Sequence, residues 1–575
     1  MDKRGRIIAV LFIMGLAFIL VSLRLVYLQV FQHAKLSAFA ERQQQQVVAL
    51  EPKRGTIFDR TGRELAVSLD VDSVYGVPSR VDDPRGLALR LSRILREDPR
   101  RLERKLDGDR HFVWLSRKVD PARAEKVRKL ASGEVNLKSE SRRFYPQKSL
   151  AGPALGFTGM DNHGLEGLER AYEPALRGVA GWVLAEKDAR GRMVFPGGPG
   201  FQFRMPKPGS DIILTIDEVI QHIVEKELDT ALTAFHAKGG VCIVMDPYTG
   251  ELLALAVRGN GRGRPAFNPN EPQRYRPEEW RNRAVTDAFE PGSIFKPILA
   301  AAALEERVVH PLEQFDCSGG RIQLADRVIK DAHEHGVLTF TDVIAQSSNV
   351  GTIKAALRLG KDRFYKYITA FGFGRRTGVD LPGEIPGLLR ESRQWSGVSL
   401  GEIAIGQEIG VTPIQMAAAY SALANGGTLM KPYIVAEIVD REGKGRKFAP
   451  QAVGRVVSAA TCTQVNKMLR RVVEAGTGQK AHPSGYTAAG KTGTAQKIDR
   501  RTGRYSKKDY VSSFVGFVPA ASPKFVIVVM IDSPEGDVYG GSVAAPVFKA
   551  VAEQGLAYLQ VPPDEEGGQM LLVNR

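Results

Sequence analysis

Apolar positions cluster along this chain with different periods, and each period marks a different kind of element. Ile7 to Leu23 is an uncharged, almost wholly apolar run, and with Leu25 to Phe31 added it reaches the roughly 20 residues that a membrane-spanning helix needs. Arg24 lies near its outer end, where a long side chain snorkels to the interface. Lys3, Arg4 and Arg6 precede the run and predict a cytoplasmic N-terminus. The bulky stretch Arg24-Leu25-Val26-Tyr27-Leu28-Gln29 offers no small-residue cleavage site, so the segment reads as an uncleaved single-pass anchor with the rest of the chain outside.

Short continuous apolar runs predict buried strands. Residues 211–217 form one, leading into an amphipathic helical pattern, and residues 239–246 and 251–256 form a hairpin around Pro247-Tyr248-Thr249-Gly250. Residues 510–517 and 524–531 predict two more near the end, and helical periodicity dominates 293–475 between the two strand groups. A sheet assembled from distant strands with helices around it is of the α+β class. Residues 54–66, punctuated by Gly and Asp-x-x-Gly, predict strand–turn–strand. The Arg-, Lys-, Leu- and Glu-rich stretch 84–130 predicts two amphipathic helices with solvated basic faces.

Breaks in these patterns divide the chain. Residues 1–31 are tail and anchor, and 32–46, with Gln43-Gln44-Gln45-Gln46, form a polar stalk. Pro196-Gly197-Gly198-Pro199-Gly200 and Met205-Pro206-Lys207-Pro208-Gly209 predict a hinge, separating a domain at 47–208 from one at 209–561, with a loose tail at 562–575.

At 575 residues the chain exceeds one core, and 43% hydrophobic with 25% charged residues is a globular composition. A net charge of +16 favours acidic partners. No zinc finger, RNA-binding aromatic motif or heptad zipper accompanies it, so no nucleic acid is expected and the membrane reading fits better. Cys242, Cys317 and Cys462 are few and far apart and are expected to be buried free thiols.

The chemistry begins at Glu290-Pro291-Gly292-Ser293-Ile294-Phe295-Lys296-Pro297. Residues three apart on a helix share a face, and a serine hydroxyl needs a base, which a neutral lysine supplies. Pro297 fits a first helical turn, placing Ser293 at a helix N-terminus, where developing negative charge is favoured. Downstream come Ser347-Ser348-Asn349 and Lys491-Thr492-Gly493-Thr494. S-x-x-K alone is weak, but the three motifs in this order form the set of β-lactamases and penicillin-binding proteins. Ser347 suits proton transfer to a leaving amine, and the Asn349 amide suits holding a substrate carbonyl. Lys491 suits depressing Lys296 and, with Thr492 and Thr494, holding a carboxylate. Gly493 suits close approach of an extended peptide to a strand edge. Residues 485–492 also match a bare phosphate-loop pattern, but no internal glycine or leading apolar strand supports it. Asp331 with His333, Glu334 and His335 reads as loop rather than metal site, and Asp287 and Glu290 as structural.

With these motifs the chain resembles a class B penicillin-binding protein, most closely the division-specific (septal) type. Arg54-Gly55-Thr56-Ile57-Phe58-Asp59-Arg60, Arg143-Phe144-Tyr145-Pro146 and Gly164-Leu165-Glu166-Gly167-Leu168-Glu169 look like that family's pedestal motifs. Arg281-Asn282-Arg283-Ala284, Phe289-Glu290-Pro291-Gly292-Ser293 and Tyr539-Gly540-Gly541 look like its transpeptidase motifs. The resemblance implies an elongated pedestal (dimerisation-type) domain followed by an antiparallel sheet flanked by helices, as in serine β-lactamases. It implies a serine D,D-transpeptidase that cross-links peptidoglycan stem peptides ending in D-Ala-D-Ala to an amine acceptor, and that β-lactams acylate. Ser293 would be acylated, with Lys296 its base. The backbone N–H groups of Ser293 and Thr494 would form the oxyanion hole. No cofactor or metal is implied. With no glycosyltransferase-sized segment before the pedestal, polymerisation is expected from a partner membrane glycosyltransferase, alongside other division proteins. Ser348 stands where the general motif has Asp, which the septal type tolerates. An elongation- or sporulation-type enzyme, a β-lactam hydrolase and a non-catalytic division scaffold are the alternatives.

Overall fold

The computed structural model describes residues 2–130, 133–187, 193–194, 202–259, 263–499 and 501–565. The chain divides into two units, Met1–Lys53 with Gly178–Pro208, and Arg54–Arg177 with Gly209–Arg575. The Gly- and Pro-rich stretch at 196–200 and the tail beyond 565 lie outside the described residues.

In the first unit a helix spans Lys3–Val26 and continues as a π-turn through Phe31. None of its residues is buried, and it is long and apolar enough to cross a membrane. The stalk forms a second helix, His33–Gln44, leading into strand Gln45–Leu50. That strand pairs antiparallel with Gly181–Lys187, which also pairs with Met193–Val194 and Phe203–Arg204.

Among the described residues of the second unit, two sheets have more than two strands. The larger runs from Gly445–Lys447 through Val435–Val439, Asp211–Leu214 and Ile57–Phe58 to Glu64–Gly76, which pairs with both Val113–Ser116 and Val135–Phe144. Strand Ile57–Phe58 lies parallel to Asp211–Leu214, so the residues around Arg54 and those following Gly209 share one hydrogen-bonded sheet. The stretch 84–130 contains three helices and a strand, not two helices. Helices Pro84–Leu95, Pro99–Leu106 and Pro121–Leu130 each begin at the proline of an Asp-Pro pair. The Asp83, Asp98 and Asp120 carboxylates accept from first-turn N–H groups at 2.9–3.1 Å, and Pro fixes the first φ. Strand Val113–Ser116 occupies the gap before the third helix.

All three resemblance motifs of this region meet in one buried cluster. Glu169, 0% exposed, accepts from Arg54 Nε and Arg143 Nε, each at 2.6 Å, and Tyr145 Oη donates to it at 3.3 Å. Burial alone would raise the Glu169 carboxyl, but the two guanidinium groups outweigh it and hold it below the usual carboxylate range. Arg143 also donates to Gly55 O at 2.7 Å, fastening strand Val135–Phe144 to the start of the shared sheet.

The second sheet carries the site. Strands β1 (Gly239–Met245), β2 (Leu252–Arg258), β3 (Ala489–Ile498), β4 (Tyr505–Val518) and β5 (Phe525–Asp532) lie antiparallel in the order β2-β1-β5-β4-β3. Side chains alternate between two cores. Val241, Ile243 and Met245 face helices α2 (Lys296–Glu305), α3 (Phe340–Ala345), α4 (Asn349–Leu359), α5 (Pro413–Ala424) and α6 (Ala459–Ala475). Cys242 and Val244 face α1 (Glu218–Ala234) and α7 (Ala545–Tyr558). Burial on both faces explains why these strands read as unbroken apolar runs. Within 293–475 the structure adds small antiparallel pairings that periodicity did not predict: Gln314–Asp316 with Val337–Thr339, Arg321–Leu324 with Arg327–Lys330, and Thr428–Met430 with Ala452–Arg455. The three cysteines are buried and free.

Glu169→Gln leaves two buried guanidinium groups without their shared carboxylate. The expected cost is about 3–5 kcal/mol, seen as a lowered denaturation midpoint of the detergent-solubilised protein; a change within about 0.5 kcal/mol contradicts this account of the cluster.

Candidate active site

Ser293 lies in a 3-10 turn, Gly292–Phe295, that runs directly into α2, with Pro297 in the first α-helical turn as expected. The turn is fixed from three sides. Gly292, at φ +55°, donates to Gly406 O at 2.9 Å, Ile294 O accepts from the buried Tyr420 hydroxyl at 2.8 Å, and strand β3 packs against it. A Cβ on Gly493 would lie 3.0 Å from Ile294 Cγ2, 3.1 Å from Pro291 O and 2.5 Å from Ser513 Oγ. Glycine there lets the edge strand close on the turn that bears Ser293.

Lys296, 0% exposed, points at the second motif. Its Nζ donates to Ser347 O at 2.6 Å, to Asn349 Oδ1 at 2.7 Å and to Ser347 Oγ at 3.2 Å. Ser293, half-buried one turn earlier, is not among these acceptors. Ser347 occupies the turn between α3 and α4 at φ +62°, a left-handed conformation that costs a non-glycine residue about 1 kcal/mol or more. Asn349 is the first residue of α4 and Ser348 its cap, the Ser348 hydroxyl accepting from Gly351 N at 3.0 Å.

Lys491, also 0% exposed, projects from β3, the edge strand of its sheet. Its Nζ reaches Thr492 O at 3.2 Å and Thr492 Oγ1 at 3.3 Å. Thr492 Oγ1 shares a 2.7 Å hydrogen bond with Thr477 Oγ1, and Thr494 Oγ1 accepts from Gly540 N at 3.0 Å. The phosphate-loop alternative does not survive, because Gly490 and Lys491 pair regularly with Gly516 and Val515 inside the sheet.

Burial pushes Lys296 down to about 7, against the opposing pull of the Asp331 carboxylate. Lys491 is pushed well below its ordinary range, first by burial and then by the charge of Lys296. The effect runs from Lys296 to Lys491: a proton on Lys296 disfavours one on Lys491, whereas Lys296 itself is set by burial and by Asp331. The arrangement thus supplies a base near neutrality, a second latent cation and a helix-start hydroxyl along one strand edge, which are the parts of a serine acyl-transfer site.

Other candidates fall outside these contacts. Asp287 pairs with Arg281 at 2.7 Å and Arg283 at 3.0 Å, while Glu290 accepts from Glu408 N at 3.0 Å and Tyr505 Oη at 3.2 Å. Among the described residues no group of three or more His, Cys, Asp or Glu side chains is placed to hold a metal. Asp331 instead faces the second motif, a position no local spacing signals, since it stands in a hairpin exit 17 residues before Ser348. Tyr420 and Gly406 are likewise unsignalled.

The penicillin-binding protein transpeptidase domain model matches residues 240–553, and the penicillin-binding protein dimerisation domain model matches residues 49–214. The chain belongs to the class B penicillin-binding proteins, whose transpeptidase domain is a serine-type acyltransferase. It is 36% identical to stage V sporulation protein D of Bacillus subtilis over 97% of this chain and 86% of that protein. It is 33% identical to the peptidoglycan D,D-transpeptidase FtsI of Escherichia coli over 96% of this chain and 91% of that one. A crystal structure of penicillin binding protein 3 from Mycobacterium tuberculosis, complexed with aztreonam, matches with a TM-score of 0.70 at 31% identity, covering 92% of this chain and all (100%) of that one.

A lysine lowered from 10.5 to about 7 binds its proton in the unfolded chain but not the folded one between those values, so its contribution to stability rises with pH across that window. Below about pH 7 the full burial penalty applies. Lys296→Met is therefore expected to stabilise the protein at neutral pH by roughly 1–4 kcal/mol, with the gain shrinking toward pH 10, measured by urea denaturation; a destabilised variant at pH 7 contradicts this.

Proposed function

We propose that this protein is a membrane-anchored peptidoglycan D,D-transpeptidase that cross-links stem peptides through an acyl-Ser293 intermediate. The observation that carries the reading is Lys296, fully buried one helical turn after Ser293, lowered to about 7 and bonded to both Ser347 and Asn349. Neutral Lys296 takes the Ser293 proton as the oxygen attacks the penultimate D-Ala carbonyl. Ser347, within 3.2 Å of the Lys296 amine, passes that proton to the departing D-Ala nitrogen. Asn349 positions the donor peptide. Lys491, Thr492 and Thr494 hold the terminal carboxylate, and Gly493 keeps β3 close to the serine. The Ser293 and Thr494 N–H groups stabilise the oxyanion, a contact type worth about 2.7–4 kcal/mol each. An acceptor amine then displaces the serine and forms the cross-link. β-Lactams acylate the same oxygen, which accords with the aztreonam complex of the Mycobacterium tuberculosis protein.

The catalytic part works outside the cytoplasmic membrane, tethered by Lys3–Val26. We assign it to septal wall synthesis beside a membrane glycosyltransferase and other division proteins, in line with its likeness to FtsI. The similarity to stage V sporulation protein D supports a second reading, wall synthesis during sporulation. Depletion separates them: undivided filaments are the septal outcome, and normal division with a block confined to sporulation is the other.

Fluorescent penicillin is expected to label Ser293, identified by peptide mapping, and to leave Ser293→Ala unlabelled; label on another residue overturns the assignment. The acylation rate is expected to rise as pH passes upward through about 7, because only neutral Lys296 accepts the proton. A rate flat from about pH 5 to about pH 9 removes Lys296 from that role.

A further inference from the structure

Behind the second motif lies a carboxylate that the proposed mechanism does not use. Asp331 leaves strand Arg327–Lys330 and turns toward the start of α4. Its Oδ1 accepts from Asn349 N and, at 3.0 Å, from Val350 N, while Oδ2 accepts from the Ser348 hydroxyl at 2.8 Å. The preceding carbonyl, Lys330 O, accepts from Asn349 Nδ2 at 2.8 Å. This segment therefore grips Ser348, Asn349 and Val350, the residues immediately after the left-handed Ser347. A non-glycine residue in that conformation persists only where its surroundings over-determine it. The conformation matters, because the Ser347 carbonyl is the shortest of the three contacts to Lys296 Nζ.

We propose that Asp331 is a positioning residue for acylation: it holds the Ser347–Asn349 turn against Lys296 and supplies the negative charge that balances the buried lysine. This rests on the transpeptidase reading above. Asp331 takes the electrostatic place of the acidic middle residue that Ser348 lacks, reaching the same helix start from another strand. A carboxylate there also suits the positive end of α4.

The charges around Lys296 are few. Asp331 acts on it from the hairpin exit, while Lys491 on β3 is itself held well below its ordinary range by burial and by Lys296. On α4 and its turn, Ser347 and Asn349 are uncharged, and Lys354 is turned to Asp316 O. Lys330 is exposed, and the Cys317 thiol beside Ser348 is pushed up by burial and stays neutral. Asp331 is thus the group whose charge works against the depression of Lys296.

The test is the rate of fluorescent-penicillin acylation against pH for the full-length, detergent-solubilised protein, Asp331→Asn and Ser348→Ala. Asparagine keeps an acceptor for the two backbone N–H groups but removes the charge, so the acid limb of the profile is expected to move to lower pH by roughly one pH unit. A merely structural role lowers the melting temperature and leaves that midpoint in place, which overturns the charge-balancing half. Ser348→Ala keeps the charge and removes one of the grips, so the rate is expected to fall several-fold with the midpoint unmoved. A wild-type rate in Ser348→Ala overturns the positioning half, and it decides that half even where Asp331→Asn fails to fold. Wild-type protein that takes no label on Ser293 sinks the transpeptidase reading itself, a result distinct from either.

Discussion

Two lysines with no solvent exposure, and no ion pair to either among the described residues, set the terms for the rest of this structure. Burying an ammonium without a partner costs so much that the group surrenders its proton instead. The fold accepts that cost twice within one cleft. Neutral oxygens surround Lys296, so its charged and neutral forms are close in energy, and a base near neutrality follows from dryness more than from any special neighbour.

Such a site needs rigid walls, and the sequence builds them from small residues and long-range hydrogen bonds. Gly493 leaves room for the edge strand to close on Ile294 and Pro291 of the 3-10 turn, and Gly292 supplies the left-handed φ of +55° with which that turn begins. Tyr420 reaches across the core to the Ile294 carbonyl, and a three-layer arrangement of helices, sheet and helices excludes water behind them. Farther off, the Arg54–Glu169–Arg143 cluster fastens residues 54–169 into the sheet that strands Asp211–Leu214 and Val435–Val439 continue. Three motifs far apart in sequence converge there on one carboxylate, as three others converge on Lys296.

Much of this is legible in the sequence because it is local. The apolar runs at 239–246, 510–517 and 524–531 announce strands buried on both faces, and Pro297 announces the helix start after Ser293. Asp83-Pro84, Asp98-Pro99 and Asp120-Pro121 are equally legible as helix starts, and their spacing alone divides 84–130 into three helices, where periodicity predicts two. What is not legible is relational. Nothing near Asp331 in the chain distinguishes it from a loop aspartate beside His333 and Glu334, because its partners lie 17 and more residues away. Residue chemistry suits Gly493 to substrate approach, yet its missing Cβ is aimed at Ile294 and Pro291, a contact between elements nearly 200 positions apart that no spacing encodes.

The central claim is that burial holds the Lys296 amine close to neutrality in the resting protein. NMR titration of the lysine methylene signals, assigned by comparison with Lys296→Arg, reads this directly. One signal moving with a midpoint near pH 7 and absent from the variant is the result expected. A Lys296 signal that titrates with the exposed lysines near 10.5 would contradict the account at its root.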